Sequence, residues 1–222
     1  MLIITSLAAA AIAVSSAAAA STPSAPPPMA VAVVTLSEVA PTLVSRVLEE
    51  ASEVWRPTGL TFVWRHVSRA EFTRLDLHPP DCPDQLRITI GDSRGRAGGT
   101  HESLVALGWI DFDEDGPAPQ IYLSYQNALA FMAGSSGVTG PLLNMPPLER
   151  EMKLARAMGR ALAHELGHYL LASKVHTPRG LMQGTHTASE FFEYSRQAFA
   201  IDKGQRQALV ARLSQATAVV RR

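Results

Sequence analysis

Cysteine is scarce in this chain: among 222 residues, Cys82 stands alone. An internal disulfide is therefore excluded, and so is a zinc module built on several thiolates. Neither sign of charge is in excess, with 20 Lys+Arg against 20 Asp+Glu. That balance argues against a partner such as nucleic acid, or an anionic membrane, held by bulk electrostatics. No internal repeat is visible, and the length suits one domain able to bury a core without covalent staples. Charge is missing altogether from residues 1–28, so every acidic and basic side chain lies beyond them.

Residues 1–20 (MLIITSLAAAAIAVSSAAAA) are apolar or small. The stretch 2–14 has the length of a secretory hydrophobic region, and the alanines at 17–20 offer small-residue cleavage sites just before Ser21. No Lys or Arg precedes the run, and the whole is almost long enough to span a bilayer, so an uncleaved anchor is the alternative. Residues 21–28 (STPSAPPP) read as an extended Pro/Ser linker. The expectation is a signal peptide over 1–20, a linker over 21–28 and a single domain over 29–222. The mature protein is expected to be secreted or periplasmic, monomeric, and without stable membrane association once the leader is removed.

Within that domain, 31–36 (VAVVTL), 60–67 (LTFVWRHV) and 86–90 (LRITI) read as strands, and 106–112 with 120–125 as a hairpin. Ser37 is a possible cap for a helix reaching about Trp55, stopped by Pro57-Thr58-Gly59. The segments 77–84 and 91–99 read as connections, and 134–140 (GSSGVTG) as a flexible loop. Pro146-Pro147 opens a long helix to about Ala172, with Glu149 and Glu151 near its positive end. Further helices are expected within 188–199 and after Asp202. Strands early and long helices late predict an α+β fold, one twisted mixed sheet packed against long helices.

Residues 164–168 read His-Glu-Leu-Gly-His. Positions four apart share a helix face, so His164 and His168 can present two imidazoles to one metal ion. Glu165 sits about 100° around the helix, placed to reach a water on the metal rather than the metal itself. Lys153, Arg156 and Arg160 continue the same stripe, which predicts that it opens into solvent or a cleft. Zinc is the expected cofactor. Metal-assisted hydrolysis with Glu165 as general base is the chemistry these residues support.

Downstream the chain runs YLLASKVHTPRGLMQG. Here it resembles the metzincin zinc peptidases, most closely the matrixin branch, in which HExxHxxGxxH is followed by a tight turn with a methionine beneath the metal. His164, Glu165, Gly167 and His168 match the first half, and Pro178, Leu181 and Met182 the far end. Leu171 and Lys174 stand where the family has its turn glycine and third histidine. The resemblance implies a zincin-like fold, a zinc peptidase activity on protein or peptide substrates, and a supporting role for Met182. The nearest third histidine is His176, eight residues after His168. On a continued helix it would lie about 12 Å further along the axis, out of reach. The helix is therefore expected to break around Ser173-Lys174 and the chain to double back.

Glu190 and Glu193, 22 and 25 residues after His168, are the rival third ligands, in an arrangement similar to thermolysin-like peptidases; His186 is a further candidate. Tyr194 is either an oxyanion donor or a buried structural tyrosine. Asp111, Asp113 and Asp115 open a D-x-D-x-D-G calcium pattern, but Tyr122 holds the place of its closing glutamate, so a solvated turn takes precedence over calcium. Cys82, in a Pro/Asp-rich setting, reads as a loop thiol, with inhibition of the metal by its thiolate as the alternative. The sequence thus reads as a secreted zinc endopeptidase. A glutamate-ligand peptidase and a non-catalytic binding module with a degenerate site are the competing readings.

Overall fold

Valine and alanine without an intervening polar residue suit a strand covered on both faces. In the computed structural model, which describes residues 28–36, 38–77, 86–91 and 106–220, Met29–Thr35 forms strand β1, and its Val31, Ala32 and Val33 are buried. Then follow α1 (Pro41–Trp55), β2 (Phe62–His66), α2 (Arg69–Leu77), β3 (Arg87–Gly91), β4 (Gly108–Phe112) and β5 (Pro117–Ser124). The C-terminal half is helical: α3 (Tyr125–Gly134), α4 (Ser136–Thr139), α5 (Pro147–Leu171), α6 (Ala188–Phe192) and α7 (Lys203–Val220).

The sheet has the order β2-β1-β3-β5-β4. β1 runs parallel to β2 and β3, and β3 parallel to β5. β4 pairs antiparallel with β5 and forms one edge. The fold is α+β with a mixed sheet against helices, as the order of elements predicts.

Two helices carry most of the core. α1 buries Leu43, Val44, Val47, Leu48, Ala51 and Val54 on one side, and α5 packs closely against it. The approach is close because Gly159 lacks a side chain: a Cβ there would fall 2.6 Å from Glu50 Cβ and 2.8 Å from the Val47 carbonyl oxygen. Trp55, at the end of α1, donates its indole N–H to the Ala163 carbonyl at 3.1 Å. α5 also packs on β4 and β5, so its catalytic-looking segment lies between the other helix and the sheet edge.

Several expectations need correction. α1 starts at Pro41, with Ala40 as its cap, rather than at Ser37. Residues 134–140 are not a flexible loop: Ser135 and the four residues of α4 form a turn closed by bonds from Val138 and Thr139 to the Ser135 carbonyl. α2 and α3 were not expected as helices. At the hairpin tip, Asp113 Oδ1 accepts from the backbone N–H groups of Asp115 and Gly116 at 2.9 and 3.0 Å. The aspartate pattern is a turn, and calcium finds no support there. The leader, the linker, Cys82 and most of the 91–99 connection lie outside the described residues. No described helix is long and apolar enough to cross a membrane.

Candidate metal centre

α5 ends at Leu171, and Ala172 adopts a left-handed conformation with φ 46° and ψ 46°, the sole non-glycine with positive φ among the described residues. The break comes one residue earlier than Ser173. It has a local reward: the Ser173 N–H donates to the His168 carbonyl at 3.2 Å, and the Ser173 carbonyl accepts from His168 Nδ1 at 2.6 Å. The Ser173 hydroxyl then accepts from the Val175 N–H at 3.1 Å, and the chain turns back toward α5.

This return brings His176 to the helix. His164 Nε2 lies 3.0 Å from His168 Nε2 and 3.3 Å from His176 Nε2, and one nitrogen from each ring falls within 4.8 Å of the others. Tetrahedral zinc–imidazole bonds of about 2.0–2.1 Å place neighbouring donors roughly 3.3–3.4 Å apart; the His164–His176 separation matches this, and the His164–His168 separation is a few tenths of an ångström shorter. The tautomers fit as well. His164 Nδ1 meets the Leu181 carbonyl at 2.7 Å, as His168 Nδ1 meets that of Ser173. Both Nδ1 atoms therefore carry the proton, leaving the Nε2 lone pairs turned inward, the usual outer-sphere arrangement of metal-binding histidines. Burial, and then the neighbouring imidazoles, pushes His164 down to about 3; burial also lowers His168. Both are held neutral, as a metal requires. Among the described residues this is the one such cluster.

The turn that supplies Leu181 is pinned by the Leu181 N–H to Ala200 carbonyl bond and by Thr177 N–H to Met182 carbonyl at 2.8 Å. Met182 is buried against α5, where a Cβ on Gly167 would collide with its sulfur at 2.2 Å. Gly184 lies against the His176 ring, with a built Cβ only 3.1 Å from it. Met182 thus packs beneath the helix turn that carries both histidines.

Glu165 lines the same cavity, of about 780 Å³, as the three histidines. Burial pushes its carboxyl up to about 8. The cavity is bounded by β4 through Trp109, Ile110 and Phe112, and by Phe131, Phe191 and Phe199. Phe112 stands edge-on to His168, and Lys174 lies over the Phe112 ring at 5.0 Å.

The rival ligands are committed elsewhere. Glu190 closes a capping box at the start of α6, accepting from the Thr187 N–H at 2.7 Å. Glu193 accepts from the Ser189 hydroxyl. His186 is buried against Phe199, with ring centroids 4.2 Å apart, and stands outside the three-histidine group. Tyr194 is 80% exposed and stacks on Arg156, so it is neither buried nor gathered with the histidines.

The basic stripe opens at Arg160 and His164 into a cleft, one of the two settings expected for it. Lys153 donates to the Thr139 carbonyl and Arg156 to that of Phe192. Arg160 is wholly buried and pairs with Glu50 at 2.9 Å. Contacts from α4 and α6 partly cover the face leading to His164. Sequence reasoning missed the burial of Arg160 against Glu50 because that partner lies 110 positions away.

No family model matches the chain, and no curated protein matches it. Among solved structures it is similar to archaemetzincin from Methanopyrus kandleri, at 16% identity and a TM-score of 0.49, over 84% of this chain and 96% of that one. The functional reading rests on the histidine cluster itself.

Proposed function

We propose that this chain is a secreted, monomeric zinc endopeptidase of metzincin type, in which His164, His168 and His176 hold the metal. The observation that carries the reading is the convergence of three imidazole nitrogens in a cavity that also contains Glu165. Zinc bound there would supply Lewis acidity, polarising a substrate carbonyl and acidifying a water.

The chain's own residues account for the rest. Glu165, in its ionised form, is the proton acceptor, and its carboxyl then returns the proton to the leaving amine. Its buried setting raises proton affinity, which suits a group that must both take and give a proton near neutral pH. The Leu181 and Ser173 carbonyls hold two imidazoles in fixed tautomers. The aromatic walls limit water around the reacting group. The edge strand β4 borders the cavity, so an extended peptide is the substrate class that the site favours. The apolar stretch over 2–14 and the alanine-rich cleavage sites before Ser21 support export to the periplasm or the medium; N-terminal sequencing of the exported protein should begin at Ser21.

The test is hydrolysis of an unfolded protein substrate. Turnover should vanish with a chelator and return with zinc. Glu165→Gln should lower kcat by roughly 10²–10⁴-fold while retaining zinc. A fully zinc-loaded wild type that cleaves nothing across a broad peptide library would instead mark a non-catalytic binding module.

A further inference from the structure

The cavity beside the histidines closes on an unusual pair of buried polar groups. Arg160 precedes His164 by four residues on α5, so both lie on one face about 6 Å apart along the axis. Its side chain has no accessible surface, yet it lines the cavity with His164 and Glu165. Nε donates to Glu50 Oε1 at 2.9 Å and Nη1 to the Glu190 carbonyl. Nη2 has no hydrogen-bond partner among the described residues. The guanidinium also lies over the Phe199 ring at 5.1 Å.

A second guanidinium stands at the same carboxylate, with Glu49 and Glu53 also near it. Glu50 Oε2 is taken by Arg196 at 2.6 Å, so one carboxylate serves two guanidinium groups. His186, stacked on the same Phe199 ring, has a side chain nearly as buried. Its Nδ1 stands 3.6 Å from Glu190 Oε2, and among the described residues neither ring nitrogen has a partner within hydrogen-bonding geometry. Leaving a charged donor buried and unmatched is costly, and a ligand that completes it recovers that cost. The walls above are aromatic and aliphatic, including Phe131, Phe191 and Ala161. A ligand suited to this cavity is apolar along its stem and anionic at its tip.

We propose that the part of the cavity lined by Arg160 and His186 is a carboxylate-binding subsite, with Arg160 Nη2 as its principal donor and His186 as a second contact. Nη2 is inaccessible in this structure, so a carboxylate reaches it as the surrounding side chains move, and it meets a guanidinium that shares Glu50 with Arg196. The proposal deepens the peptidase reading: the substrate class becomes peptides carrying a carboxylate near the cleaved bond, from an acidic side chain or from the chain terminus.

The experiment measures equilibrium binding, so that it does not depend on turnover. Peptides differing only as Glu against Gln, and as free acid against C-terminal amide, are titrated into zinc-loaded Glu165→Gln and into the same protein stripped of metal. The Glu or the free-acid peptide should bind roughly tenfold or more tightly than its neutral match, and which of the two does so identifies the source of the carboxylate. The preference should survive metal removal, which separates it from a carboxylate on zinc. It should fall to about onefold in Arg160→Met, which leaves Glu50 paired with Arg196. Should that variant not fold, His186→Phe, which keeps the stack on Phe199, should reduce the preference severalfold. Equal binding of acidic and neutral peptides, or a preference present only with zinc, overturns the proposal. Carboxylate preference without any turnover by the wild type would sink the peptidase reading and leave the subsite standing.

Discussion

Glu165 is a carboxyl group in surroundings that favour its neutral form. Burial holds it at about 8 against an ordinary 4.5. In metal-free protein the folded chain therefore holds this proton more tightly than the unfolded chain does. Stability from this group is complete below about pH 4.5 and is lost as the pH rises through 8. Glu165→Gln should raise the melting temperature of metal-free protein near pH 8, by roughly 2–4 kcal/mol in stability, and change little near pH 4. Thermal melts at the two pH values check this, and an equal effect at both would contradict it. Bound zinc opposes the shift, since a nearby cation favours the carboxylate. At this scale the sequence was most informative. His164, Glu165 and His168 follow from helical periodicity alone, and His176 follows from asking which imidazole a reversed chain could return. Arg160 did not, because burial of a cation depends on a carboxylate far along the chain.

Helix ends decide what those residues can do. α5 was legible from its Pro pair and its apolar periodicity, and its start at Pro147 and end at Leu171 lie within a residue or so of expectation. Its termination was less legible, because no glycine marks it. A leucine at 171 remains helical and the alanine after it takes the left-handed turn. An alanine there costs about 1–2 kcal/mol relative to a relaxed backbone. Ala172→Gly should therefore stabilise the protein by about 0.5–1 kcal/mol, the relief being partly offset by the extra freedom of an unfolded glycine. Denaturant unfolding would measure it, with zinc affinity unchanged because the Ser173 carbonyl stays on His168. A loss of stability would mean that the turn is not strained. The short helices were the least legible. α4 is built from Ser, Gly, Val and Thr, most of them weak helix formers, and it is held by its capping bonds, the buried Thr139 hydroxyl, the Lys153 contact to Thr139 and packing on α6.

Across the whole molecule, one buried ion group ties together parts of the chain that are far apart in sequence. Glu50 on α1 bonds Arg160 on α5 and Arg196 in the segment after α6, so the two core helices and the cover of the cavity share one carboxylate. Removing it leaves a fully buried guanidinium uncompensated. Glu50→Gln should cost about 3–5 kcal/mol, read as a fall in unfolding midpoint, whereas a loss below about 1 kcal/mol would show that the group is not a tie. The α+β class and the mixed sheet were legible because the early strands and late helices separate along the chain. The packing of α4 and α6 over the basic stripe of α5 was not, because it is set by contacts between distant segments.

The central claim is that His176, carried back by the turn at Ala172, completes the metal site. A competition titration against a chromogenic chelator measures it, with wild type, His176→Ala and Glu190→Ala side by side. Wild type and Glu190→Ala should each bind one zinc with affinities within about threefold. His176→Ala should bind at least about a hundredfold more weakly, beyond the 10–100-fold typical of losing an outer-sphere partner. Full zinc affinity in His176→Ala together with its loss in Glu190→Ala would contradict the account.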